Sequence, residues 1–572
     1  MDKQKLLAVS RGEKPADLVI KNAKIINVYT KDIDTGDLAI SDGYFIGIGN
    51  YEAKNTIDLS GYYIAPGFID GHVHIESSML TPNNYALAVM PRGTTAVIAD
   101  CHEIANVLGN KGIDFMLEAS KASPLDVFMM IPSCVPSSPY ETSGADLKGK
   151  NIEQYLSNKQ VLGLGEMMDY PGTINGEESV LEKLDLFKNL TIDGHAPELS
   201  GNELNAYRLA GVETDHECTT PKELIDKVKR GMYVHLREGS QTKNVRDLLP
   251  GVSAKYYNRI IFCSDDLHPS DIKKIGHMDN NIKIAIDYGI EPIEAISMAT
   301  INIANCYNIK DIGAIAPGKK ADFVVFKDLE NIDIESVYKA GKLVAKNKTA
   351  LFESNDLDTS EVTNSVNVNL DSIDLDYKLK SDLVHVIGLV KNNVTTTKLV
   401  EKVNLEEGVF LPKNNPGLLK LSVIERHHNS GRIGKAIVKN YGLKNAAIAM
   451  TIAHDSHNII CVGYETEDML IAIRKLKEIS GGIVIASNGE VLESLSLEVA
   501  GLMTTKNLEY VEEQLKKLDD IAHKLGVNKD IEDPFLQLAF LSLAVIPELK
   551  VTDFGLFDGK KYRIIPLEAG EE

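Results

Sequence analysis

The chain has 572 residues, too many for one hydrophobic core, so two or three domains are expected, the largest a unit of ~250 residues. Its 61 basic and 82 acidic residues leave a formal charge of -21, a field that repels phosphate backbones and anionic membranes, so neither nucleic acid nor a membrane is an expected partner. Six scattered cysteines with no C-x-x-C pair argue against disulfides and suit a reducing compartment. The charge-broken start MDKQKLLAVSRGEKPADLVI has no apolar signal region, and no run approaches the ~20 apolar residues of a membrane span, so a cytoplasmic location is expected.

In chain order, DLVIKNAKIINV, DTGDLAI and SDGYFIGIG alternate β-prone runs with turns and read as a small β unit over residues 1–62. From 63 to 310, short apolar runs alternate with helical stretches: APGFIDGHVHIESS, TTAVIADCHE, DVFMMIPSCVP, VLGLGEMMD, LTIDGHAPE, GVETDHE, YVHLREGS and IIFCSDD. Eight such units predict an α/β fold, a closed (β/α)8 barrel. Residues 311–352 return to β-prone alternation and are expected to rejoin the N-terminal unit as one composite β domain. Their GAIAPGKK run comes near a phosphate-binding loop but lacks the Ser or Thr and carries Pro317, so it reads as a turn. The polar, acidic stretch 353–375 reads as a linker, and the strands HVIGLV, AAIAMTIA, NIICVGY and GIVIAS with two amphipathic helices predict a C-terminal α+β domain over 376–572.

In the barrel runs the polar residues gather at the C-terminal ends, the face on which such barrels carry active sites. His72 and His74 lie two apart on a strand and project to one face, which makes half a metal site. An H-x-H pair alone is weak. Glu166, His195, His216 and Asp265 end the fourth, fifth, sixth and eighth runs. Singly, each has an ordinary reading as a helix cap or turn residue. Together they form a cluster that would repel itself unless neutralised, and a pair of divalent metals would relieve that strain. His235, inside the seventh run, reads as a satisfied core histidine, and the pairs His427/His428 and His454/His457 read as structural or interface groups before metal ligands. The zinc deaminases of the H-x-E and P-C-x-x-C type are excluded, because the chain has no C-x-x-C.

The motifs PGFIDGHVHIESS (66–78), DCHEIANVLG (100–109), GLGEMM (163–168), DGHAP (193–197), TDHE (214–217), REGS (237–240), CSDD (263–266) and G-x-I-x-P-G-K-x-A-D (313–322) resemble the amidohydrolase superfamily. AHDSHNIICVG (453–463) is similar to the companion domain of its bacterial adenine deaminase branch, so the likeness spans nearly the whole chain. It implies a binuclear centre, with His72 and His74 on one metal with Asp265, and His195 and His216 on the other. Many family members bridge the metals with a carboxylated lysine. GLGEMMDY holds no lysine, so Glu166 is the expected bridge, which argues against the hydantoinase and dihydroorotase branches.

The resemblance further implies hydrolysis of adenine to hypoxanthine and ammonia in purine salvage. A metal-bridged hydroxide would attack the carbon bearing the amine, and Asp265 would act as general base and then acid. Glu76, Glu103, Glu238 and Asp266 are candidates for the group that meets the ring nitrogen, with His102 and Arg237 as further substrate contacts. Imidazole and carboxylate donors admit Mn²⁺, Fe²⁺ or Zn²⁺, and the resemblance favours manganese. It also suggests that the AHDSHN segment closes the substrate pocket. A homo-oligomer is expected. The alternatives are turnover of another base or a cyclic amide, and a non-catalytic barrel scaffold.

Overall fold

A computed structural model describes residues 2–570. Tyr63–Pro66, expected in the barrel, instead pairs with Phe323–Phe326 in antiparallel register, Ile64 opposite Val325. These strands are central to a seven-stranded sheet built from both the N-terminal and the post-barrel segments. A second sheet of four strands, Ala16–Lys21 among them, packs with it around Leu18, Ile20, Ile40, Ile64, Phe323 and Tyr338. Gly313 and Gly318 take left-handed φ values of 85° and 86° in the turns leading back to this unit, as the reading of a turn requires.

The eight barrel strands are Phe68–Val73, Thr94–Asp100, Asp126–Ile131, Val161–Met167, Thr191–Gly194, Thr214–Asp215, Tyr233–Arg237 and Ile260–Cys263. The first five and the last three pair in parallel as two arcs. Backbone bonds join the arcs: Glu213 N–H donates to Ile192 O at 2.9 Å, and Asp265 N–H to His72 O at 2.9 Å. Runs such as Thr94–Asp100 are buried along their whole length because barrel interior and outer helices cover both faces. The helix Pro221–Lys229 shows how local sequence starts an outer element: Pro221 occupies its first turn, and Thr220 and Glu223 form a reciprocal capping box.

The C-terminal domain is an eight-stranded mixed sheet with Thr466–Glu478 against one face through Met469, Ala472, Ile473 and Leu476. Its other face, including Leu421, Val438, Ile448 and Val462, continues the apolar core of the barrel. The stretch 353–375, polar enough to read as a linker, is bound to this domain. Val362, Val366 and Val368 are buried, Ala500 N–H donates to Val362 O at 2.7 Å, and Asn367 N–H donates to Arg426 O at 2.8 Å. Its valines are too widely spaced to give a periodic signal. All six cysteines are free and buried, and no described helix is long and apolar enough to cross a membrane.

Candidate metal centre and active site

The C-terminal ends of the barrel strands deliver six imidazole and carboxylate side chains to one point. His72 lies within the first strand, and His74 follows where the chain turns into the 3-10 helix Ile75–Ser78. Asp70 holds this strand to the eighth: its Oδ1 accepts N–H bonds from His72 and Ser264, and His277 Nε2 stands 3.0 Å from Oδ2. Asp265, just past the eighth strand, adopts a left-handed backbone with φ 58°, a conformation Asp tolerates better than bulkier residues. Its N–H and C=O are bonded to His72 and His74, which fixes its side chain between them.

Glu166 sits near the end of the fourth strand, and its N–H donates to Asp100 Oδ2 at 2.9 Å. Gly165 makes that approach possible, because a Cβ there would fall 2.2 Å from the same oxygen. The two Glu166 oxygens face different histidines. Oε1 lies 3.3 Å from His74 Nε2 and 3.9 Å from His72 Nε2, while Oε2 lies 2.8 Å from His195 Nδ1 and 3.1 Å from His216 Nε2. Asp265 Oδ1 joins the first group, 3.3 Å from His74 Nε2 and 3.9 Å from His72 Nε2.

These distances suit metal ligands. Donors ~2.0–2.1 Å from one ion stand ~3.3 Å apart at tetrahedral corners. The hydrogen-bond logic points the same way. His74 Nδ1 faces Asp100 O at 3.1 Å and must donate to it, so in the neutral ring Nε2 carries a lone pair. That lone pair looks at His72 Nε2, at 3.2 Å, and at two carboxylate oxygens, an arrangement of acceptors that requires positive charge among them. His72 Nδ1, His216 Nδ1 and His195 Nε2 are buried without hydrogen-bond partners among the described residues. The donor set therefore fits two cations sharing Glu166; among the groups spaced to hold a metal are His72/His74/Glu166, His72/His216/Asp265 and Glu166/His195/His216, and His74/His102/Glu103 and Glu103/His454/His457 are spaced for one as well.

The electrostatics show the same demand for positive charge: burial opposes charging of His74, His195 and His216, yet the carboxylates facing them hold all three above the usual imidazole range, so protons take the place that cations would fill. Burial and the adjacent His216 and His74 push His72 well below the usual imidazole range, which keeps its ring neutral. Burial opposes ionisation of Glu166 and Asp265. His216 and His195 outweigh it for the first, and Arg237 with His74 for the second, so both carboxyls are held well below the ordinary range. Arg237, ending the seventh strand, places Nη1 2.8 Å from Asp265 Oδ2 and bonds both Glu217 oxygens. Glu217 is thereby lowered to about 2 despite burial. Glu217 was not singled out from the sequence, although it lies in TDHE.

The cluster opens on a cleft with about 510 Å³ of open space including its mouth. Four of the candidate substrate contacts, His102, Glu103, Arg237 and Asp266, line it. His102 comes nearer the cluster than a peripheral contact would, its Nδ1 3.4 Å from Glu166 Oε1. Two expected contacts lie elsewhere. Glu76 is turned away by the 3-10 helix; its Oε1 accepts the Ile104 N–H, and burial raises it to about 7. Glu238 follows inward-facing Arg237, so strand alternation sends it to a separate small cavity beside Lys243 and Asp271, and burial raises it to about 7 too. His235 is also a correction. Neither of its ring nitrogens has a partner among the described residues, and burial keeps the ring neutral beneath His72 and His216.

The opposite wall comes from the C-terminal domain: Val394, His454, Phe540, Leu543, Val545 and Ile546. This apolar cover excludes water from one side of a site that is charged on the other. The AHDSHN segment does help close the cavity, through His454 and Asp455. His427 and His428 lie apart from it, bonded to Ser456 O and Ser143 O.

Residues 63–344 match a family model described as the amidohydrolase family, and residues 393–563 match one described as the adenine deaminase C-terminal domain. Among similar curated proteins, the chain is 50% identical to adenine deaminase of Clostridium acetobutylicum, over 97% of this chain and 98% of that one. It is 46% identical to adenine deaminase 2 of Carboxydothermus hydrogenoformans, over 98% and 99% of the two chains. It is likewise 46% identical to adenine deaminase of Geobacillus kaustophilus, over 98% of each.

Proposed function

The chain belongs to the amidohydrolase family and, within it, to the adenine deaminases, and from that membership we propose that its metal-bearing cavity hydrolyses adenine to hypoxanthine and ammonia. One observation carries the site assignment: the two oxygens of Glu166 face two different imidazole groups. His72, His74 and Asp265 would hold one cation, His195 and His216 the other, and Glu166 both. Two divalent cations, when bound, supply the charge that makes a shared water nucleophilic near neutral pH.

Asp265, with Oδ2 fixed by Arg237 and Oδ1 turned toward the cluster, takes the proton of the attacking water and hands it to the departing amine. Arg237 also keeps Asp265 ionised, ready to accept that proton. The apolar cover of Phe540, Leu543 and Ile546 supplies a face on which a flat purine can lie, away from bulk water.

Imidazole and carboxylate donors without thiolate admit manganese, iron or zinc, and manganese is the ion we expect from the resemblance. We expect the reaction to serve purine salvage. Its acidic charge and six free cysteines support a cytoplasmic location, and we expect a homo-oligomer. The test is ammonia release from a panel of adenine, guanine, cytosine and a cyclic amide. Adenine is expected to turn over well above the rest, and release from another compound with none from adenine would overturn the reading.

A further inference from the structure

A buried triad joins the two domains at the cavity wall and is not used by the chemistry above. Glu103 belongs to the first turn of the helix His102–Leu108, after the second barrel strand, and its two oxygens meet two histidines of the C-terminal domain. His454 Nδ1 lies 2.8 Å from Oε1, and His457 Nε2 contacts Oε2. His457 Nδ1 accepts the Ala453 N–H at 3.2 Å, so that nitrogen carries the lone pair and Nε2 the hydrogen. Glu103 therefore accepts from both histidines. A metal held here would need the lone pair on His457 Nε2 that the Ala453 bond removes, so the triad is a hydrogen-bond device.

With both oxygens engaged as acceptors, Glu103 has no hydrogen to give to a substrate. His454 does. Its Nδ1 is engaged by Glu103, which leaves Nε2 as the ring nitrogen free to meet a ligand, and the side chain lines the cavity. The ring lies on Phe540, with centroids 4.7 Å apart and planes at 14°, which fixes the direction of Nε2.

We propose that His454 Nε2 donates to the adenine ring nitrogen beside the amine-bearing carbon, N1, with Glu103 as the positioning residue. The inference rests on adenine being the substrate. As the water oxygen bonds to the carbon, the π pair of the carbon–N1 bond moves onto N1, which takes the proton from His454. The amine then leaves with its bonding pair and a proton from Asp265, and the oxygen stays as the carbonyl. One hydrogen of the water restores His454 and the other ends on ammonia, so the proton count closes. The groups facing His454 are Glu103 from the barrel, Asp266 from the loop after the eighth strand, and Asp455 and His457 from its own segment, with His102 behind them against Glu103 and Asp455. Burial works against a charged imidazole, but these carboxylates outweigh it and hold His454 up to about 9.

The test uses the manganese-loaded full chain, with adenine as substrate and 1-deazaadenine and 3-deazaadenine as competitive ligands. In the wild type, losing N1 should weaken binding about tenfold or more relative to losing N3, as expected for a lost charged hydrogen bond. In His454→Ala that ratio should fall below about threefold, kcat on adenine should drop roughly 10²–10⁴-fold, and added imidazole should restore rate saturably. An unchanged ratio, or kcat within about threefold of wild type, overturns the proposal. A wild type that releases no ammonia from adenine fails the substrate reading instead. If His454→Ala loses manganese or unfolds, Glu103→Gln decides: the basic limb of kcat/KM should move about one unit or more toward lower pH, and an unmoved limb overturns the proposal.

Discussion

Lys227→Met is the sharpest test of how the fold holds the site. Lys227 and Asp215 are both fully buried, 2.7 Å apart, and between them they tie down the loops that carry two proposed ligands. Lys227 Nζ also donates to Ala196 O, next to His195, while Asp215 accepts the N–H groups of Ala196 and Glu217, the latter next to His216. Removing one partner of a buried ion pair costs about 3–5 kcal/mol, because the remaining charge is left without compensation. The two N–H bonds that Asp215 keeps place this case near the lower end, about 3 kcal/mol, or roughly 6–12 °C in Tm for a domain of barrel size. Ligands freed from their outer supports should also bind metal about 10–100-fold more weakly. The assays are thermal unfolding and manganese titration of the wild type, Lys227→Met, Asp215→Asn and the double variant. The double variant should recover about 1–2 kcal/mol relative to the sum of the singles, because no unpaired charge remains. A single variant as stable as wild type, or strict additivity, would refute the reasoning.

Further outcomes follow from the same geometry. Asp265→Asn should fold normally but lose roughly 10²–10⁴-fold in kcat, since it cannot carry the proton; a loss in KM alone would contradict that role. Lys550 Nζ donates to Val394 O and Phe540 O, two cavity-wall carbonyls, so Lys550→Met should cost about 1–3 kcal/mol and speed amide exchange across residues 540–546; unchanged exchange there would count against it. His268 Nδ1 lies 2.9 Å from Asp533 Oδ2, and although burial pulls the imidazole down, the carboxylate outweighs it and the net shift is upward. Asp533 is lowered by the same pair, against burial. A raised imidazole stabilises fully below its unfolded value of ~6.5 and less as pH climbs through the folded value, while the Asp533 contribution fades only as pH falls through its depressed value. The Tm difference between wild type and His268→Gln should therefore be largest near pH 5–6 and shrink toward pH 9, and a flat difference would exclude the pair as its source.

Much of this architecture is legible in the sequence, because a parallel barrel writes itself as short buried runs with polar residues at one end. His72, His74, Glu166, His195, His216 and Asp265 stand at those ends, and the structure gathers them. Side-chain direction beyond a strand's last residue is much less legible. Glu76 and Glu238 follow residues that do face the site, yet a 3-10 turn and strand alternation send them elsewhere. Lys227 looks like a surface lysine on an amphipathic helix, and only the packing shows it buried on Asp215. Glu217 and Arg237 are 20 residues apart in sequence and reveal their pairing only when adjacent strands align. The wall formed by Val394 and Phe540–Ile546 comes from a distant domain whose local sequence carries no signal of the barrel mouth.

The central claim is a centre of two cations joined by Glu166, acting on adenine. It is tested most directly by stripping the metal-loaded protein with a chelator, adding back Mn²⁺ stepwise, and following ammonia release from adenine together with bound metal. The account predicts no release from the stripped protein and a rise that reaches its plateau when two ions are bound per chain. Full activity without metal, or a plateau at one ion, would contradict it.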